Sequence, residues 1–91
     1  IYQASDGGRL FTQPLSGDAT IVARVVSMTN TNVWAKAGLM IREGTAANAK
    51  HAFCFVTPVT TNGVGFIRRT STGAMSTYTG GSKNVAPRWL R

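Results

Sequence analysis

The sequence predicts an all-β fold, an antiparallel β-sandwich, on three observations. Apolar residues alternate with polar ones in several short stretches. Turn residues break those stretches roughly every 8–15 positions, the rhythm of a sandwich. Composition agrees: there are twelve threonines and ten glycines in 91 residues. Threonine suits a pleated, half-exposed surface and glycine suits turns.

Residues 1–9 read as irregular, with a turn at Asp6-Gly7-Gly8. Leu10 to Gln13 is a short apolar/polar segment ended by Pro14, and Ser16-Gly17-Asp18 turns again. Ala19 to Met28 then reads as a strand, rich in β-branched Ile21, Val22, Val25 and Val26. After Asn30-Thr31-Asn32, the stretch Trp34 to Arg42 alternates cleanly. Ala35, Ala37, Leu39 and Ile41 are expected on a dry face, and Trp34, Lys36, Gly38, Met40 and Arg42 on the outer one. Glu43 to Lys50 is a loop, too short for a stable helix beyond one turn. His51 to Thr57 is a buried strand stopped by Pro58. Asn62-Gly63 signals a hairpin, and Val64 to Arg69 returns. Ser71-Thr72-Gly73 turns, Ala74 to Thr79 is a short strand, and Trp89-Leu90-Arg91 opens a last one. No repeat or low-complexity tract appears.

The whole chain, residues 1–91, is one domain at most. Apolar residues make up 43%, enough to pack, although a chain this short builds a marginal core. Net charge is +7, from ten Lys and Arg against Asp6, Asp18 and Glu43. Such a balance suits an acidic polysaccharide, a nucleic acid or an anionic surface. The basic residues mostly stand singly, however, and the aromatics sit in apolar runs, so nucleic-acid binding is disfavoured. Cys54 is the sole cysteine, which excludes an intrachain disulfide; it reads as a buried, inert thiol. His51, three positions before it, belongs on the opposite strand face, so the two make no Cys–His pair. No stretch approaches a membrane span. Ile1 reads as the start of a mature or excised segment, and location is not legible from targeting.

Two motifs carry a resemblance. Gln13–Val25 (QPLSGDATIVARV) followed by Asn30–Gly44 (NTNVWAKAGLMIREG) resembles the bacterial domain family of unknown function DUF1349, within the concanavalin A-like lectin/glucanase superfamily. The likeness continues through Lys50–Pro58 (KHAFCFVTP), Asn62–Gly73 (NGVGFIRRTSTG) and Ala86–Arg91 (APRWLR), with a weaker match over Ile1–Phe11. It implies a jelly-roll-like sandwich from extracellular bacterial multidomain proteins. Family domains are about twice this length. The expectation is therefore a partial module, completed by the remainder of a larger chain or by oligomerisation of copies through open sheet edges.

Chemistry is sparse. Glycosidase action needs a carboxylate pair flanking the bond, and Asp6 and Asp18 read as turn residues while Glu43 sits at a strand end. The chain is therefore expected not to be an enzyme. One His and one Cys make no zinc site, no calcium loop or phosphate loop appears, and no cofactor is implied. The stronger case is a ligand-facing sheet. Trp34 with Lys36 and Arg42 joins an aromatic face to long donors, the pairing that holds a sugar. Arg68, Arg69, Tyr78 and Trp89 are candidates to extend that surface, and His51 is expected to be a strand-edge hydrogen-bonder. Phe53, Phe55 and Phe66 are expected in the core. The reading is a non-catalytic carbohydrate-binding or adhesion module whose partner is a polysaccharide or other glycan. The alternative is a structural assembly unit that oligomerises through open sheet edges.

Overall fold

The computed structural model describes residues 1–91 and holds six strands and no helix. In chain order these are β1 (Ala23–Val25), β2 (Ala37–Arg42), β3 (His51–Val56), β4 (Val64–Arg69), β5 (Thr77–Gly80) and β6 (Arg88–Leu90). Strands β2, β3, β4 and β5 form one sheet in sequence order, and β1 pairs with β6 in a second. Every pairing is antiparallel. The predicted all-β, two-sheet architecture is the one observed.

The central hairpin follows the sequence reading most closely. β4 has its predicted bounds, and β3 stops one residue before Thr57. Thr57 instead closes the hairpin loop, its N–H and its hydroxyl both donating to the Gly63 carbonyl at 2.9 and 2.8 Å. Gly63 has φ +62°, and a Cβ there would lie 2.7 Å from the Lys83 Cα, so only glycine fits. The other strands are shorter than predicted or shifted. Of Ala19–Met28 only Ala23–Val25 pairs, β2 starts at Ala37 rather than Trp34, and β5 runs from Thr77 rather than Ala74. A strand exists only where a partner takes its backbone hydrogen bonds, and β1 meets just three residues of β6. Leu10 to Gln13 pairs with nothing in either sheet, and Glu43 to Lys50 forms turns without a helix.

Period two sorts the four-stranded sheet into two faces. The first carries Met40 and Arg42, His51, Phe53 and Phe55, Ile67 and Arg69, and Tyr78. The second carries Ala37, Leu39 and Ile41, Ala52, Cys54 and Val56, Val64, Phe66 and Arg68, and Thr77 and Thr79. Phe53, Phe55 and Ile67 form the buried cluster on the first face, with Ile1, Met40 and Tyr78 packed against it. Gly65 permits this packing: a Cβ would come within 2.6 Å of Phe55 Cζ and 2.7 Å of Tyr78 Cε2.

Side chains along β2 alternate between the two faces, but the expected dry face fails toward the C-terminal end: Ala37 and Leu39 are half-buried beside an exposed Gly38, whereas at Ile41 and Arg42 the order inverts. Ile41 is 53% exposed and Leu39 is only half-buried, while the Arg42 side chain is enclosed. The reason is what lies over each face. The N-terminal segment folds onto the first face, where the Asp6 N–H donates to the Ala47 carbonyl at 2.7 Å and Arg69 donates to the Gln3 carbonyl. The second face is covered only in part. Ala19 to Ile21, leading into β1, and Arg91, following β6, line a groove of about 310 Å³ with Leu39, Ile41, Ala52, Cys54 and Phe66. Phe66, expected in the core, is exposed beside this groove.

Candidate functional site

Asn32 begins the site. Its Oδ1 accepts the Trp34 N–H at 2.8 Å, which turns the chain just before β2. The Val33 carbonyl accepts from Asn62 Nδ2 at 2.6 Å, which ties that turn to the β3–β4 loop. Trp34 and Lys36 thus precede the strand rather than extend it. The indole is 44% exposed and meets Tyr78 of β5 edge to face, with ring centroids 5.8 Å apart and planes at 89°. Tyr78 rests in turn on the buried Phe55, at 6.3 Å between centroids. The Lys36 ammonium donates to the Trp34 carbonyl at 2.9 Å and lies 5.5 Å from the ring centroids of both Trp34 and Phe55. Partial burial lowers its pKa. An exposed indole braced by a second aromatic, with a cation beside it, offers a stacking face and a donor in one place.

Arg42 does not belong to that surface. The register aligns Arg42, His51 and Arg69 in one row across β2, β3 and β4. All three point under the N-terminal segment, where Asp6 meets them. Asp6 Oδ2 accepts from Arg42 Nη1 at 2.6 Å and from Arg69 Nη1 at 2.9 Å, and Oδ1 accepts from Arg69 Nη2 at 2.8 Å. The side chains of Asp6, Arg42 and Arg69 are 7%, 8% and 0% exposed. Burial pushes the Asp6 carboxyl pKa up, but the hydrogen bonds and charges of Arg69 and Arg42 outweigh it and hold it at about 2. The remaining guanidinium protons go to backbone carbonyls: Arg69 to Ala74 and Ala49, Arg42 to Gly44 and Ala46. The cluster clamps the N-terminal segment and two loops to the sheet. Asp6, expected as a turn residue, and Arg69, expected as a surface cation, are its buried centre.

His51 is also corrected. It is buried, its Nε2 lies 3.8 Å from Asp6 Oδ2, and neither ring nitrogen has a hydrogen-bond partner. Burial lowers its pKa; Asp6 pulls upward, and the charges of Arg69 and Arg42 push down. It faces away from Cys54, as period two requires. Cys54 is half-buried in the groove on the other face, and burial raises its thiol pKa.

The other predicted site residues lie apart. Arg68 is on the second face, where its guanidinium covers the Phe66 ring at 5.8 Å and Nη1 donates to Thr79 Oγ1 at 3.1 Å. Trp89 is 69% exposed on β6, opposite Arg24 of β1. Of the six residues Trp34, Lys36, Arg42, Arg68, Tyr78 and Trp89, the fold brings together Trp34, Lys36 and Tyr78. The signal for the buried cluster appears only once the strand register is known. Arg42, His51 and Arg69 share one face of an in-register sheet, and such a row needs an anion from a chain that has only three.

Glu43 pairs with Lys50 at 3.1 Å, and Asp18 is exposed far from either other acid in sequence. No three His, Cys, Asp or Glu side chains gather as metal ligands, and no helix is long and apolar enough to cross a membrane. Compared with known proteins, the chain matches no family model, no curated protein and no solved structure.

Proposed function

We propose that this chain is a non-catalytic carbohydrate-binding module of the extracellular adhesion type, with the Trp34–Tyr78–Lys36 cluster as its platform. The observation that carries the reading is the exposed indole of Trp34, braced by Tyr78 and the Asn32 turn and flanked by the Lys36 ammonium. A pyranose ring stacks its C–H face on such an indole, and a nearby ammonium donates to ring substituents. Two of the three acids are already engaged, Asp6 by arginines and Glu43 by Lys50, which leaves no carboxylate pair to flank a glycosidic bond. A jelly-roll topology and a secreted bacterial setting go with this reading through the resemblance to DUF1349-type domains. The test is a glycan array followed by titration calorimetry. Trp34→Ala should weaken binding about tenfold or more, the loss typical of a stacked aromatic anchor. Unchanged affinity in a folded Trp34→Ala protein refutes the platform.

A second reading, assembly of copies through open sheet edges, is favoured by the second face. There Ile41 and Phe66 are exposed beside the apolar groove, and β2 and β5 each have one unpaired edge. Light scattering over a range of concentrations decides it; a constant monomer mass removes it.

A further inference from the structure

We propose that the platform selects acidic glycans, with Lys36 as the residue that reads a sugar carboxylate. This rests on the carbohydrate-binding reading and names its ligand class. The argument starts from the acids of the chain. Asp6 is shared by Arg42 and Arg69, Glu43 pairs with Lys50, and Asp18 forms no ion pair. Lys36 is therefore a half-buried ammonium without a carboxylate partner. Its one hydrogen bond, to the Trp34 carbonyl, uses one of three donor protons. The other contacts of the ammonium are the faces of Trp34 and Phe55, which attract a cation but accept no conventional hydrogen bond. The ammonium has thus given up part of its water shell and gained incomplete compensation, a state that an anionic ligand relieves.

Geometry directs that relief onto the platform. The ammonium lies 5.5 Å from the centre of the Trp34 ring, while the indole itself is open to solvent. A pyranose stacked on the indole face that the ammonium overlies turns its ring substituents toward that ammonium. A uronic acid places a planar carboxylate at the sugar rim, with two acceptor oxygens for the two free protons. A neutral sugar offers hydroxyls there, which accept from the ammonium but bring no opposite charge to it. The net charge of +7 speeds the approach of any polyanion but does not choose among them. The choice comes from the partly desolvated ammonium beside the stacking face.

The experiment compares oligogalacturonate, a neutral galactan oligosaccharide of the same length and dextran sulfate, by calorimetry at two salt concentrations. The proteins are the unaltered chain, Lys36→Gln, Trp34→Ala and a charge control, Arg24→Gln, at an exposed position on β1. The proposal expects the unaltered chain to favour oligogalacturonate over the neutral sugar about fivefold to tenfold, the gain from exchanging a neutral acceptor for a charged one. Lys36→Gln should erase that preference by weakening oligogalacturonate more than the neutral sugar, and Arg24→Gln should change neither affinity. Equal affinity for both sugars, lost in Trp34→Ala, overturns the acidic selection and leaves the platform standing. Binding of every polyanion that responds equally to Lys36→Gln and Arg24→Gln, with a steep salt dependence, overturns it as bulk electrostatics. Binding of none of the probes overturns it together with its parent reading. Matching melting curves for the variants establish that the fold is intact.

Discussion

Asp6→Asn tests the buried ion cluster most directly. Asp6 accepts three hydrogen bonds from two guanidinium groups at 2.6 to 2.9 Å, and all three side chains are nearly closed to solvent. An asparagine has the same shape but no charge, and one of its two polar atoms is a donor that would face a donor. Breaking a buried pair costs about 3–5 kcal/mol when a charge is left without compensation. Here the arginines keep their bonds to backbone carbonyls, which places the loss toward the lower end. The lowered pKa of Asp6, about 2 against an ordinary 3.8, expresses the same contacts and corresponds to a preference on the order of 2 kcal/mol for the charged form. The expected loss is therefore about 2–3 kcal/mol. That is a large share of the roughly 5–14 kcal/mol that a domain of this size commands. At 4–8 °C per kcal/mol, the melting temperature should fall by about 10–20 °C. Urea unfolding followed by tryptophan fluorescence measures the loss, and exchange of the backbone amide at position 6 shows whether the N-terminal segment frees itself first. A folded variant within about 0.5 kcal/mol of the parent, with exchange at position 6 unchanged, refutes the clamp.

Acid should weaken the fold in two steps. His51 has a lowered pKa in the folded state, so the unfolded chain binds its proton first. Stability is therefore complete above the ordinary pKa of 6.5 and falls as pH drops below it, and His51→Gln should remove this upper step from a pH series of melting temperatures. Asp6 is also lowered, so its contribution is present above 3.8 and is lost as pH falls toward about 2; Asp6→Asn should flatten that lower step. Gly38→Ala should destabilise strongly, because its Cβ would lie 2.6 Å from Phe55 Cα, backbone that cannot step aside without parting β2 from β3. Gly65→Ala meets two ring edges instead and should cost about 1–3 kcal/mol in urea unfolding, as overpacking does. Cys54 should react with iodoacetamide more slowly than a free thiol at pH 7.5, since burial raises its pKa, and should reach the free rate in 8 M urea.

Local residue patterns were enough to specify the strand class and the centre of the larger sheet. β3 and β4 were legible because β-branched and aromatic residues there are bounded by Pro58 and by a glycine turn, signals that act over a few residues. Period two along β2 was equally legible, since strand geometry imposes it. Which side of β2 would be dry was not. A strand's alternation names two faces, but what covers each face comes from residues far away in the chain. The N-terminal segment brings Asp6 across to Arg42 and Arg69, 36 and 63 positions on, and so encloses charges that local patterning assigned to water. The same distance effect joins Trp34 to Tyr78 while leaving Arg68 and Trp89 on other surfaces. Backbone pairing is locally encoded; burial and charge compensation are properties of the assembled layers and arise only when distant segments meet.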